Sequence, residues 1–314
     1  MDVRYRVVSL FSGCGGLDLG VLGGFTSLGK KYQKHKFDIV WANDFDKNAC
    51  DTFRKNIGSH IVCGDIVELL KDKKEFLKLK DIDVVIGGFP CQDFSVAGKR
   101  MGAKTKRGKL YKSFVKAVDL LQPKIFLAEN VKGLLSIGNG MFMEKIKNDF
   151  KSVGYNVEHK LFRVADFGVP QKRERVLMIG VRGGLDNFVF PKPSVKNWIP
   201  VGQVIADLEY VPEGLVHNHF WSKARKNKGQ GNISINKNDI APTMRAEHHG
   251  NIEYHWNKKR RLSAREVARI QSFPDDFIFL NSTSQAYRQI GNAVPPVMGW
   301  YIAMAIEKFL SKSS

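Results

Sequence analysis

The sequence predicts an α/β fold: a doubly wound, mostly parallel sheet with a smaller, loop-rich domain attached. Three observations predict it. Short apolar runs bounded by Gly, Asn and Asp alternate with longer amphipathic stretches through the first half of the chain. Several of those runs end in a glycine turn or an acid, where open α/β sheets place their ligands. From about Pro191 the periodic runs thin out among prolines, glycines and the scattered His217, His219, His248 and His249, until regular patterning resumes at Leu262. The expected division is 1–190 for the large domain, 191–277 for the small one, and 278–314 returning to the large one.

A chain of 314 residues can bury a sizeable core, and 43% hydrophobic with 26% charged residues is a globular composition. Lys and Arg number 50 against 31 Asp and Glu, and the resulting +19 points to a polyanionic partner, most economically nucleic acid. The four cysteines, Cys14, Cys50, Cys63 and Cys91, lie far apart without C-x-x-C or zinc spacing. So few in a chain this long fit a reducing compartment. No signal-peptide pattern opens the chain, and no apolar run reaches about 18 residues, so neither secretion nor a membrane is expected. His248-His249 with His255 lacks the acid or cysteine spacing of a metal site, and no metal is expected.

In chain order, Val7–Phe11 reads as a strand running into Ser12-Gly13-Cys14-Gly15-Gly16-Leu17-Asp18. A glycine-rich turn between strand and helix lets backbone approach a ligand, although a plain tight turn reads the same way. The next strand, Phe37–Trp41, ends at Asn43-Asp44-Phe45-Asp46. An acid there commonly receives ribose hydroxyls, and Phe45 could cover an adenine face; an Asx-type helix start at Asn43 or Asp44 is compatible with both. Ile61-Val62 leads to a second strand-end acid in Cys63-Gly64-Asp65-Ile66. Together these ends suit a nucleoside on a β-α-β-α-β half.

The fourth strand, Asp81–Ile86, exits through Gly87-Gly88-Phe89-Pro90-Cys91-Gln92. Pro90 stiffens the approach to the Cys91 thiol, which a buried structural cysteine would share. Val96–Lys112 is rich in Gly, Lys and Arg without apolar periodicity, and reads as a basic loop able to close over phosphates. A helix over Ser113–Leu121 and a strand over Lys124–Ala128 follow, the strand ending in Glu129-Asn130-Val131. A carboxylate reached from a buried strand can serve as a catalytic acid or merely cap the next helix. Beyond a helix near Phe142–Val153 and a strand near Tyr155–Phe162, Gln171-Lys172-Arg173-Glu174-Arg175 precedes the strand Val176–Gly180. Alternating arginines at a strand start would share one face, toward an anion or as surface charge. Ser263 with Glu266 forms a capping box, and Gly291-Asn292-Ala293-Val294 leads into a final helix.

These segments stand in the order found in the cytosine-5 DNA methyltransferases, which the chain closely resembles: Phe11–Gly16, Pro90-Cys91-Gln92, Glu129-Asn130-Val131, Gln171–Arg175, Arg265–Arg269 with Gln271–Pro274, and Gly291–Val294. The motifs span nearly the whole chain, except the variable stretch from about 185 to 260. The length is similar to the stand-alone bacterial type of restriction–modification systems. The resemblance implies a class I S-adenosylmethionine-dependent fold, with Cys91 as the nucleophile adding to cytosine C6 and Glu129 as the acid at N3. Arg173 and Arg175 would orient Glu129 and the flipped base and favour the thiolate. Phe11, Gly13, Leu17, Asp44, Phe45, Asp65, Ile66, Pro90 and Asn292 would hold the cofactor. Gln92, Ser95, Lys99 and Arg107 would touch DNA from the basic loop, and Thr243 and Arg245 from the target-recognition segment.

The implied partner is double-stranded DNA. A cognate restriction endonuclease would act on the same site without needing to bind, and a monomer at the bacterial nucleoid is expected. Two departures are small: Phe89 where many members have proline, and Cys14 where alanine or glycine is common. An RNA cytosine-5 methyltransferase of the same fold would carry a Cys-Phe-Thr signature, which is missing here. A non-catalytic DNA-binding relative tends to lose the cysteine or the glutamate, and both stand.

Overall fold

The structure is a computed structural model that describes residues 4–72, 76–90, 108–184, 188–224, 231–246, 252–257 and 259–312, apart from the side chains of 108 and 109. Its strands are β1 (Tyr5–Leu10), β2 (Phe25–Ser27), β3 (Lys30–Tyr32), β4 (Phe37–Asp44), β5 (Ile61–Cys63), β6 (Val84–Gly87), β7 (Ile125–Val131), β8 (Tyr155–Arg163) and β9 (Glu174–Arg182). The helices described below are α1 (Gly16–Leu22), α2 (Lys47–Asn56), α3 (Ile66–Leu69), α4 (Gly108–Leu121), α5 (Met141–Lys151), α6 (Gly202–Ile205), α7 (Ala264–Ile270), α8 (Thr283–Asn292) and α9 (Pro296–Leu310).

Seven strands form one sheet in the order β5-β4-β1-β6-β7-β9-β8. Neighbours from β5 to β7 are parallel, and β9 runs antiparallel to both β7 and β8. The central strands are apolar on both faces, as parallel strands under two helical layers must be. Alternate side chains divide between two cores. Val7, Ile39, Ile86, Leu127 and Ile179 face a cluster completed by α1, α2 and α9. Val8, Trp41, Val85, Phe126 and Met178 face the cluster under α4 and α5. The opposing strands are packed closely enough that a Cβ on Gly180 would lie 2.0 Å from the Phe126 ring.

The last helix returns the chain to its beginning. Proline opens α9, where a missing N–H costs nothing. It crosses α1 so tightly that a Cβ on Gly20 would sit 2.7 Å from the Gly299 Cα. A third cluster gathers Val201, Ile205, Ile235, Met244, Leu262, α7, Phe273 and α8, and also takes in Cys14 from the first loop. The α7 capping box forms with both of its bonds.

Two expectations change. The β2–β3 hairpin was not foreseen: its strands have three residues each, and the turn is set by Leu28 and Gly29 at φ of 51° and 72°. Positive φ at both central residues is the hairpin geometry that matches strand twist. Helix α4 begins at Gly108, so 108–112, read as part of the basic loop, is helical.

Candidate active site

The C-terminal ends of β1, β4, β5, β6 and β7 converge at one edge of the sheet, because parallel neighbours deliver their ends together. Glu129 lies near the end of β7. Its register partner on β9 is Leu177, and Arg175 lies two residues further along the same face. That diagonal brings Arg175 Nε to 2.6 Å from Glu129 Oε1, with the side chains only 14% and 12% exposed. A second Arg175 bond, from Nη1 to Glu174 O at 2.8 Å, fixes the guanidinium plane. A charge-assisted pair this short and this screened from water is a strong orienting contact.

The other Glu129 oxygen, Oε2, would lie 3.0 Å from a Cβ on Gly88, so glycine leaves the β6 exit open to the carboxylate. Asn130 Nδ2 donates to Phe89 O at 2.9 Å, tying the ends of β6 and β7 together immediately before Pro90. Phe89 is buried against the Tyr111 and Phe114 rings. Glu129 and Arg175 are therefore brought together beside the exit that leads toward Cys91. Cys91, Gln92, Ser95, Lys99 and Arg107 lie outside the described residues.

Arg173 bonds to backbone carbonyls, while the Glu129 carboxylate pairs with Arg175. The Arg173 guanidinium donates to Met244 O at 2.9 Å, Gly291 O at 3.1 Å and Ala293 O at 3.0 Å, and the side chain is fully buried. Strand β9 begins only at Glu174, so the alternation that would put Arg173 beside Arg175 has not started. Burial, then the Arg175 charge, push its proton affinity well down, and the Glu129 charge partly offsets them.

Gln171 joins the same clip. Its Nε2 donates to Ile270 O at 3.1 Å and to the Gln271 side chain, and its Oε1 accepts from Met244 N at 3.2 Å. Thr243 Oγ1 donates to Lys172 O at 2.9 Å, and Arg245 is exposed. The 241–245 segment is thus locked to the chain before β9. Reading the residues singly missed this clip, although Gln171, Arg173, Gln271 and Gly291 all stand in the quoted motifs.

Around the first loop, Phe11 and Gly13 adopt φ of 54° and 56°. Asp44 Oδ2 accepts from Gly13 N at 2.8 Å, and Oδ1 accepts from Asp46 N at 2.9 Å. Burial raises the proton affinity of Asp44, opposed by those amides. Each oxygen keeps a lone pair for a further donor. The helix cap is Asp46, accepting from Asn48 and Ala49, rather than Asn43 or Asp44. The Phe45 side chain stands 77% exposed beyond the strand end. Asp65 caps α3 through Val67 N at 2.9 Å, while Leu17 and Ile66 are buried and Asn292 is exposed at the end of α8.

A family model described as C-5 cytosine-specific DNA methylase matches residues 5–235 and 214–308. The chain belongs to this family. Among its relatives, type II methyltransferase M.NgoFVII of Neisseria gonorrhoeae is 40% identical, the match covering 93% of this chain and 83% of that one. Type II methyltransferase M1.HphI of Haemophilus parahaemolyticus is 34% identical, over 98% and 87%.

Of solved structures, a DNA modification methyltransferase encoded within an E. coli prophage superposes with a TM-score of 0.74 at 25% identity, covering 98% of this chain and all (100%) of that one. S. pombe Dnmt2 methyltransferase shares the fold, with a TM-score of 0.68 at 18% identity over 98% and 99%. The chain is thus a DNA cytosine-5 methyltransferase of class I architecture, and family and fold imply duplex DNA as substrate and S-adenosylmethionine as methyl donor. None of the described helices is long and apolar enough to cross a membrane.

Proposed function

We propose that this methylase flips one cytosine out of a specific duplex site and methylates its C5 through a covalent Cys91–C6 intermediate. The observation that carries the reading is the Glu129–Arg175 pair at the β6 exit, where an oriented carboxyl group faces the chain leading to Cys91. Cytosine C5 is a weak nucleophile inside an aromatic ring. Addition of the Cys91 thiolate to C6, with Glu129 giving a proton to N3, saturates C6 and leaves a C4=C5 enamine whose electrons are available at C5. Arg175 holds the Glu129 carboxyl in place and faces the base with it. After transfer, loss of the C5 proton and departure of the Cys91 sulfur restore the aromatic ring. Flipping is required because the reacting atoms are stacked inside the duplex.

The residues at the strand ends suit the methyl donor. The backbone of the first loop is opened by left-handed conformations, the Phe45 ring is uncovered, and the Asp18 carboxyl beneath the loop is buried with no hydrogen bond of full geometry among the described residues. S-adenosylmethionine, when bound, supplies an electrophilic methyl on a sulfonium centre. Phe11, Gly13 and Leu17 would wrap it, Asp44 and Asp65 would take ribose and adenine donors, Phe45 an adenine face, and Ile66, Pro90 and Asn292 would complete the walls.

Gln92, Ser95, Lys99 and Arg107, with Thr243 and Arg245, would engage the DNA. Arg245 suits guanine readout in the major groove. Residues 1–190 would form the large domain, 191–277 the target-recognition domain, and 278–314 the return segment. The working enzyme would be a cytoplasmic, nucleoid-associated monomer protecting host DNA from a restriction endonuclease that shares its site.

A duplex carrying 5-fluorocytosine at the target tests the covalent step. Fluorine cannot leave C5 as a cation, so the expected result is a denaturation-resistant protein–DNA adduct that Cys91→Ser does not form. Full turnover without any adduct would overturn the covalent route.

A further inference from the structure

Asp18 occupies the first turn of α1, immediately after the glycine loop, and is fully buried. Neither carboxyl oxygen is met at full hydrogen-bond geometry among the described residues, although the Ser9 hydroxyl and the residue's own amide lie close enough to favour its charged form. A buried carboxylate without a counter-charge is costly, and such a group keeps its proton instead. Burial holds this one up at about 7, with the Ser9 hydroxyl and its own backbone amide opposing as donors and the Asp44 charge adding to the rise.

No cation among the described residues faces it. From β4 comes Asp44, itself acidic and itself pushed up by burial, and from the loop comes Cys14, whose thiol is driven far up by burial. On α2, the charged Lys47, Asp51 and Arg54 pair with one another at the surface. The stretch of α9 packed on α1, Pro296–Ala303, carries no ionisable group except the Tyr301 phenol. Two acids therefore lie behind the loop, one of them bonded to that loop through Gly13 N, with no cation among the described residues to balance them.

A positive charge brought by a ligand can complement such a pair. The methyl donor brings one and the product does not: transfer converts a sulfonium into a neutral thioether, with the rest of the molecule unchanged. We propose that Asp18 is the charge sensor of the methyl-donor site, giving up a proton when the sulfonium donor binds and keeping it when the thioether product binds. The proton goes from the carboxylic acid to solvent, and the carboxylate left behind attracts the donor alone. Asp18 acts through the field behind the loop, so it is a positioning residue for donor selectivity. This inference rests on the cofactor site assigned under the proposed function.

Titration calorimetry of the whole protein with S-adenosylmethionine and with S-adenosylhomocysteine tests it, from pH 6 to 8 in two buffers of different ionisation enthalpy. The amino group common to both ligands cancels in the comparison. If the donor lowers the proton affinity of Asp18 about tenfold, it releases about 0.4 proton at pH 7 more than the product does. Its affinity then rises about fivefold more than the product's across the range. Asp18→Asn, of nearly the same shape, should abolish the excess release and narrow donor-over-product selectivity about fivefold at pH 7 and about ninefold at pH 8.

Equal proton counts for the two ligands, or an excess release that survives Asp18→Asn, would overturn the inference and leave a structural, hydrated acid. Should that variant fail to fold, the donor–product difference in the wild-type protein decides alone. A wild-type protein that binds neither ligand would instead overturn the cofactor reading, and this inference with it.

Discussion

At the scale of single residues, the proposed site would depend on one carboxyl group held still. Glu129 is fixed by Arg175 Nε at 2.6 Å and left uncovered by Gly88, so replacing the carboxyl group by an amide of the same shape should stop the proposed chemistry alone. Glu129→Gln is expected to lower the methylation rate about 10²–10⁴-fold, the usual reach of a general acid, while DNA affinity changes little. Single-turnover methylation beside a DNA-binding isotherm measures both, and a parallel loss of binding would place Glu129 in recognition.

A second residue-scale expectation concerns pH. His219 and His255 are fully buried, and burial pushes both below their ordinary 6.5, partly offset by the Glu266 charge. The unfolded chain therefore binds more protons than the folded one just below that value, and stability present above pH 6.5 is lost as pH falls. Denaturant unfolding at pH 7.5 and 5.5 should show the loss, and His255→Gln should reduce it.

At the scale of elements, the clip around Arg173 matters most. Three backbone carbonyls from two distant segments converge on one buried guanidinium. The segments touch so closely that a Cβ on Gly291 would lie 2.1 Å from the Arg245 carbonyl carbon. Gly291→Ala should cost about 1–3 kcal/mol as an overpacked core site does, and should weaken DNA binding by shifting the 241–245 segment. Unfolding curves with binding isotherms check this; full stability with normal binding would show that the contact can relax.

The clip also marks where sequence reading stopped. The apolar runs at Val7, Phe37, Val84, Ile125 and Val176 placed the central strands, because strands buried on both faces leave continuous hydrophobic signals. Glu129 with Arg175 was legible as motif residues. Arg173 was not, since a side chain two residues from a functional one reads the same whether the strand has begun or not. The β2–β3 hairpin escaped for lack of length. Asp18 escaped because an acid in a helix's first turn looks like ordinary N-terminal charge, and only packing shows that it has no cation beside it among the described residues.

At the scale of the whole molecule, the +19 net charge is spread over a protein whose substrate is a polyanion. DNA affinity should fall linearly in log–log terms with salt, with a slope near −0.9 for each phosphate neutralised, and Lys99→Ala or Arg107→Ala should each reduce the slope by about one. A slope unmoved by either change would take these residues off the backbone. The sheet edge and the Arg173 clip bring distant segments together near the ends of the parallel strands, where the proposed cofactor, base and recognition segment would meet.

The most direct test of that account is methyl transfer from labelled S-adenosylmethionine to unmethylated genomic DNA, run beside Cys91→Ser, with bisulfite sequencing of the product. The account predicts label on C5 of cytosine at one recurrent short motif, abolished in the variant. Label at another atom, or transfer that survives Cys91→Ser, would contradict it.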